Sequence, residues 1–259
     1  MDSNEHVHPS FARVIAQKEH LKKRLSAIKH KIGVYSAKGG VGKTTTAVNI
    51  AYSLAKLGHS VGILDADIDC PNVTMFLGME SVKVDSAQPF LPVLHEGVKV
   101  LSTAMVVDEI KMPIIWRGPV ITKMLWVFLG NSEWGDLDYL IIDLPPGTSD
   151  SPLTIMQLLA LDGFVIVTTP QKISAVNSIR SGMMAKRLGV SILGVVENMS
   201  SGSASEHTKM VAAELGTTVL GSIRQDAQFN GYSDSGRVAV LENKEIAEEY
   251  LKVVHNLLG

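Results

Sequence analysis

Residues 34–50 read VYSAKGGVGKTTTAVNI, and no other stretch restricts the architecture as much. An apolar, β-branched segment runs into a turn with glycines at 39, 40 and 42, and a helical pattern opens at Lys43. A strand, a glycine-rich turn and a helix in that order present consecutive main-chain N–H groups at a helix N-terminus. Orphan donors and the helix dipole together make that an anion cradle. The glycines allow close approach of the backbone and positive φ where the turn needs it. In an open α/β sheet, such a turn lies at the carboxyl end of its strand.

The rest of the chain keeps the same rhythm. Strands are expected at 31–36, 60–67, 98–103, 139–146, 163–170, 191–199 and 217–223. Several are apolar at nearly every position, the mark of strands covered on both faces. Helices are expected at 43–57, 118–129, 151–160, 174–188, 206–215 and 244–258. The pattern predicts a three-layer α/β/α fold with a mostly parallel sheet, and the turn at 37–44 resembles that of the P-loop NTPases. A composition of 46% hydrophobic and 19% charged residues supplies the core. Residues 31–259 are read as this domain, and 1–30 as an N-terminal extension with a basic helix carrying Lys22, Lys23, Arg24 and Lys29. The last helix puts Ile246, Tyr250, Val253 and Leu257 on one face, which predicts docking onto the sheet.

The loop itself suggests a nucleotide and its metal. The N–H groups of Gly39, Gly40, Val41 and Gly42 are expected to cradle phosphates, with Lys43 reaching the β- and γ-phosphates. The Thr44 hydroxyl is expected to ligate Mg²⁺, and Thr45 to donate to the α-phosphate. Glycine normally opens such a loop, but Ala37 stands there; alanine serves if φ stays negative. Lys38 is an additional cation close to the expected γ-phosphate. Two apolar strands end in carboxylates: Asp65, Asp67 and Asp69 in GILDADIDCPN, and Asp143 in YLIIDLPPGTSD. Asp143 is the expected Mg²⁺ carboxylate, acting through water, with Asp65 behind it. Pro145, Pro146 and Gly147 form a stiff turn beside the γ-phosphate position, suited to a switch.

With both lysines of KGGVGK in place, the chain resembles the deviant Walker A ATPases, the group of MinD, ParA, the nitrogenase iron protein and the Mrp/ApbC iron–sulfur carriers. The resemblance implies an ATP-sandwich homodimer in which Lys38 crosses to the facing subunit. It also implies that Asp67 positions the attacking water, that Asn198 in VVENMS reads the adenine edge, and that Asp226 in SIRQDAQF lies beside the base. Arg224 stands where the group usually has proline. WRGPVITKMLWVFL, DYLIIDLPPGTSD, TTPQKISAVNSIR and GVVENMS are similar to Mrp/ApbC phrases, and the likeness runs from about 30 to 240.

Mrp-type carriers usually follow the ENMS phrase with a C-x-x-C pair for a [4Fe–4S] cluster, whereas this chain continues SGSASEHTKM. Cys70 is the only cysteine, so two subunits supply two thiolates, short of the four that such a cluster takes. Two functions therefore stay open. The first is a Mg²⁺-dependent ATPase acting in iron–sulfur cluster assembly or transfer to apoproteins, as a homodimer gated by ATP. The second is a MinD-like, ATP-switched adaptor that carries no cluster. A net charge of −2 gives no support to nucleic-acid binding. No run of about 18 apolar residues predicts a membrane span. The polar N-terminus and single cysteine lead to the expectation of a cytoplasmic protein.

Overall fold

The computed structural model describes residues 19–85, 89–106, 118–148 and 150–259. Its strands are β1 (Ile28–Tyr35), β2 (Val61–Asp65), β3 (Val93–His95), β4 (Val98–Ser102), β5 (Leu137–Asp143), β6 (Gly163–Thr168), β7 (Ile192–Ser200) and β8 (Val219–Arg224). Between and after them run α1 (Lys43–Lys56), α2 (Val73–Phe76), α3 (Gly118–Asn131), α4 (Asp150–Leu158), α5 (Lys172–Arg187) and α6 (Glu206–Glu214). Helices α7 (Gln228–Asp234), α8 (Ala239–Glu242) and α9 (Lys244–Leu258) complete the described chain.

All eight strands form one sheet in the order β3-β4-β2-β5-β1-β6-β7-β8. Every pairing is parallel except β3 with β4. β2 and β6 are buried at every position, as their unbroken apolar runs require once helices cover both faces. One face carries α1, α8 and α9 over Ile63, Val100 and Ile141. The other carries α3 and α4 over Leu64, Leu140 and Ile142, and there Leu21, Leu25 and Ile28 pack into the same core as Trp134. On α9, Ile246, Tyr250 and Val253 are buried, and Leu257 packs against the core half-buried.

β3 is the strand that periodicity did not reveal. It has three residues, and Leu94 is 69% exposed on this edge. The Glu96–Gly97 turn behind it holds both residues at positive φ, the requirement of a type I′ hairpin. Arg117 of the RGP phrase and the first part of the basic N-terminal stretch lie outside the described residues; residues 19–24 are helical. Because the sheet is parallel, the carboxyl ends of β1, β2, β5, β7 and β8 share one edge. Every candidate site residue follows or ends one of those strands.

Candidate nucleotide-binding site

The turn after β1 has the backbone that its glycines allow. Gly40 and Gly42 lie at φ +79° and +83°, and Gly42 is the left-handed N-cap of α1. A Cβ on Gly42 would lie 2.0 Å from Nδ2 of Asn198, so this position needs glycine for both conformation and space. Among the described residues, only Glu96 and Met199 are non-glycines with positive φ. Ala37 therefore opens the loop without strain. Gly39 and Lys38 are exposed and Val41 is buried. The Ser36 hydroxyl donates to the carbonyl of Lys38 at 2.9 Å and fixes the backbone from which that side chain leaves.

At the head of α1, two side chains converge on Asp143. Lys43 Nζ donates to Asp143 Oδ1 at 2.6 Å, and the Thr44 hydroxyl donates to Asp143 Oδ2 at 2.6 Å. Thr45 is half-buried, and its carbonyl accepts from Asn49 Nδ2 at 2.8 Å. Asp65 pairs in register with Asp143 across β2 and β5. Both oxygens of Asp65 take protein donors: Asp67 N–H at 3.2 Å on one, Val73 N–H at 3.0 Å and the Ser102 hydroxyl at 3.1 Å on the other. Asp65 thus ties the loop after β2 to the sheet. Burial, and then the neighbouring Asp143, raise its pKa. Burial also raises Asp67, opposed by the Lys43 ammonium. Asp67 is 6% exposed and accepts from Cys70 N–H at 3.2 Å, while Asp69 and Cys70 are exposed.

Three buried carboxyl groups thus gather around one ammonium, and a divalent cation there would favour their ionised forms. Thr44 and Asp143 offer hard oxygen donors of the kind Mg²⁺ takes. No group of three or more His, Cys, Asp or Glu side chains among the described residues could hold a metal ion. That suits Mg²⁺, which keeps several waters and shares phosphate oxygens in place of an all-protein cage. It does not suit a resident [4Fe–4S] cluster, for which the chain has one thiol, Cys70.

β7 and β8 bring the other two candidates to the same edge. Asn198 is 7% exposed, and its Nδ2 donates to the carbonyl of Val41 at 3.0 Å, touching the phosphate loop from the side. Asp226 is half-buried and accepts from Gln228 N–H at 2.8 Å, which folds the turn after β8. Gln225 N–H bonds to Ser200 O at 2.9 Å and joins that turn to the end of β7. Arg224 donates its own N–H to Glu249 at 2.9 Å and its guanidinium to Glu245 and Glu249. A proline there could not make the first bond.

Sequence reading passed over Glu197 and Asn49. The fully buried Glu197 carboxylate accepts from Ser205 N–H and from the Ser205 and Thr208 hydroxyls, pinning the N-terminus of α6 beside Asn198. Asn49 bridges α1 to α8 by accepting from Val240 N–H at 3.0 Å. Asn49 gives a signal as a lone polar residue in AVNIAY, whereas Glu197 stands beside Asn198 in VVENMS and gives none.

A glycine-rich turn between a central parallel strand and a helix, with lysine and threonine aimed at a strand-end aspartate, defines the class as a P-loop NTPase. A family model described as the ParA-related "NUBPL iron-transfer P-loop NTPase" matches residues 27–258. The "Iron-sulfur cluster carrier protein" of Methanocaldococcus jannaschii is 40% identical over 96% of this chain and 91% of its own length. That of Aquifex aeolicus is 38% identical over 90% of this chain and 68% of its own. A nucleotide-binding protein from Archaeoglobus fulgidus, solved in complex with ADP, superposes with a TM-score of 0.76 at 35% identity, covering 90% of this chain and 95% of that one. The cell-division ATPase MinD of Pyrococcus furiosus shares the fold, with a TM-score of 0.71 at 21% identity over 89% of this chain and 98% of its own. The chain belongs to the iron-transfer P-loop NTPase family, that of the iron–sulfur cluster carriers.

Proposed function

We propose that this chain is a Mg²⁺-dependent ATP hydrolase that works in iron–sulfur cluster assembly, or in transfer to apoproteins, as a homodimer gated by ATP. The observation that carries the reading is the convergence of Lys43 and Thr44 on Asp143, each at 2.6 Å, at the mouth of a glycine-rich loop. Main-chain N–H groups from Gly39 to Lys43 hold the phosphates, and Lys43 reaches their γ end. Thr44 and Asp143 hold the cation; when bound, Mg²⁺ neutralises charge on the β- and γ-oxygens. Asp67 orients the attacking water. Lys38 is exposed and enters the facing subunit's site, which makes hydrolysis depend on dimer closure. The Asn198 amide has a donor and an acceptor for the adenine edge, and Asp226 borders the base.

The iron–sulfur cluster is cargo in this reading, and assembly factors or client apoproteins contribute the ligands that this chain lacks. No helix among the described residues is long and apolar enough to cross a membrane. A cytoplasmic setting keeps the single thiol reduced. The single cysteine also favours a second reading, a nucleotide-switched adaptor with no cluster at all. Two measurements separate the outcomes. ATP turnover that requires Mg²⁺ and vanishes in Lys43→Ala supports the hydrolase; no turnover in the wild type overturns it. Iron and acid-labile sulfide, followed during anaerobic incubation with a cluster donor and an apoprotein acceptor, divide the carrier from the adaptor.

A further inference from the structure

The last two residues of β1 and Ser36 hold the loop that follows Asp143 at three points. Leu144 N–H donates to Val34 O at 3.1 Å, and Gly147 N–H donates to Ser36 O at 3.0 Å. The third bond comes from a side chain: the Tyr35 hydroxyl donates to Gly147 O at 2.5 Å. Tyr35 is completely buried, and its ring leans on Phe164 with centroids 5.8 Å apart. Burial raises the phenol's pKa, so it remains a protonated donor at any working pH. Gly147 sits at φ +84°, in the left-handed region, with its N–H on Ser36 and its carbonyl on Tyr35.

The two prolines explain why this glycine is critical. Pro145 and Pro146 carry no N–H, so Gly147 has the first main-chain donor after Leu144 that the loop can offer to a ligand. Here that donor is spent on Ser36. Ser36 also holds the carbonyl of Lys38 through its hydroxyl, so the same short segment restrains both the phosphate loop and the 144–147 loop.

We infer that Tyr35 is a positioning residue, a buried latch that keeps the 144–147 loop in a resting arrangement and must release Gly147 before its N–H can turn toward a bound triphosphate. The inference rests on the hydrolase reading above. The latch is bistable in simple terms: one neutral hydrogen bond biases the loop, and its loss shifts the population about three- to tenfold.

Tyr35→Phe tests this, because it keeps the ring on Phe164 and deletes only the hydroxyl. In this 259-residue chain without nucleotide, hydrogen exchange at the Gly147 amide should be slow in the wild type. It should run about three- to tenfold faster in Tyr35→Phe, with the amides of β1 unchanged. Ser36→Ala, which keeps the Ser36 carbonyl, should leave Gly147 exchange as it is. Basal ATP turnover in Tyr35→Phe should rise by a similar factor, with ADP affinity within about twofold of wild type. An unprotected Gly147 amide in the wild type, unchanged exchange in Tyr35→Phe, or accelerated exchange with unchanged or lower turnover overturns the latch. Exchange needs no hydrolysis. A wild type without ATPase activity would therefore defeat the hydrolase reading, and exchange alone would then decide whether the latch exists.

Discussion

Lys43 Nζ lies 2.6 Å from Asp143 Oδ1, and the two side chains are 8% and 1% exposed. The helix that follows the glycine-rich turn is thereby locked to the centre of the sheet by an ion pair out of water. Removing one member leaves the other charged and buried. Lys43→Ala should therefore weaken ATP and ADP binding by at least about a hundredfold, the loss of a desolvated phosphate contact. It should also lower unfolding free energy by roughly 3 kcal/mol. Calorimetric titration and urea denaturation read the two effects separately. A variant as stable as wild type would mean that the pair contributes nothing to folding.

Asp65 tests the electrostatics of the same region through pH. Its pKa is raised above the ordinary 3.8, by burial first and by Asp143 second. A carboxyl group with a raised folded pKa binds its proton more tightly when folded. Its contribution is complete below the unfolded pKa and is lost as pH rises through the folded one. In Mg²⁺-free buffer, Asp65→Asn should therefore gain stability relative to wild type between pH 5 and pH 8. Denaturation midpoints for both proteins at the two pH values give the comparison. A difference that stays constant or shrinks would show that Asp65 is ionised throughout.

Gly42 and Asn198 are predicted to be energetically coupled. Gly42→Ala adds a Cβ that would meet Asn198 Nδ2 at 2.0 Å, at a φ of +83°. The clash and the left-handed strain should together cost about 2–3 kcal/mol. Asn198→Ala removes the clash but not the strain, so the double variant should recover about half of that cost. Additive losses across the cycle would show that the two residues do not touch in solution.

Glu197→Gln is isosteric, but it presents an amide where three donors from Ser205 and Thr208 need acceptors. The variant should lose about 2 kcal/mol and loosen the start of α6. Faster hydrogen exchange at residues 205–208, with the sheet unaffected, is the expected signature. Uniform protection throughout would remove Glu197 from its anchoring role.

Contacts that stay local in the chain were legible in the sequence, and contacts made across the sheet were not. Seven strands and the long helices announce themselves through apolar period and β-branching. β3 was hidden because Glu96 takes a positive φ that its residue type does not advertise. The short helices α7 and α8 were hidden because Gly231 and Gly236 break the helical pattern around them. At the site, Gly40, Gly42, Lys43 and Thr44 belong to one turn and could be read together. The Tyr35–Gly147 and Asn198–Val41 bonds span 112 and 157 positions, so nothing in either local stretch predicts its partner. The strand-end position of Asp65 is legible in GILDAD, but the donors on both of its oxygens become visible only when Asp67, Ser102 and Val73 fold against it.

Central to the proposed cycle is a γ-phosphate sensed from two subunits through Lys38. The direct measurement is molar mass by light scattering with Mg²⁺-ATP and with Mg²⁺-ADP, using Asp67→Ala to slow turnover. The mass should double with ATP and not with ADP, while Lys38→Ala should still bind ATP but lose hydrolysis that depends on dimer formation. A single monomeric species in saturating ATP, or wild-type turnover in Lys38→Ala, would contradict the cross-subunit site.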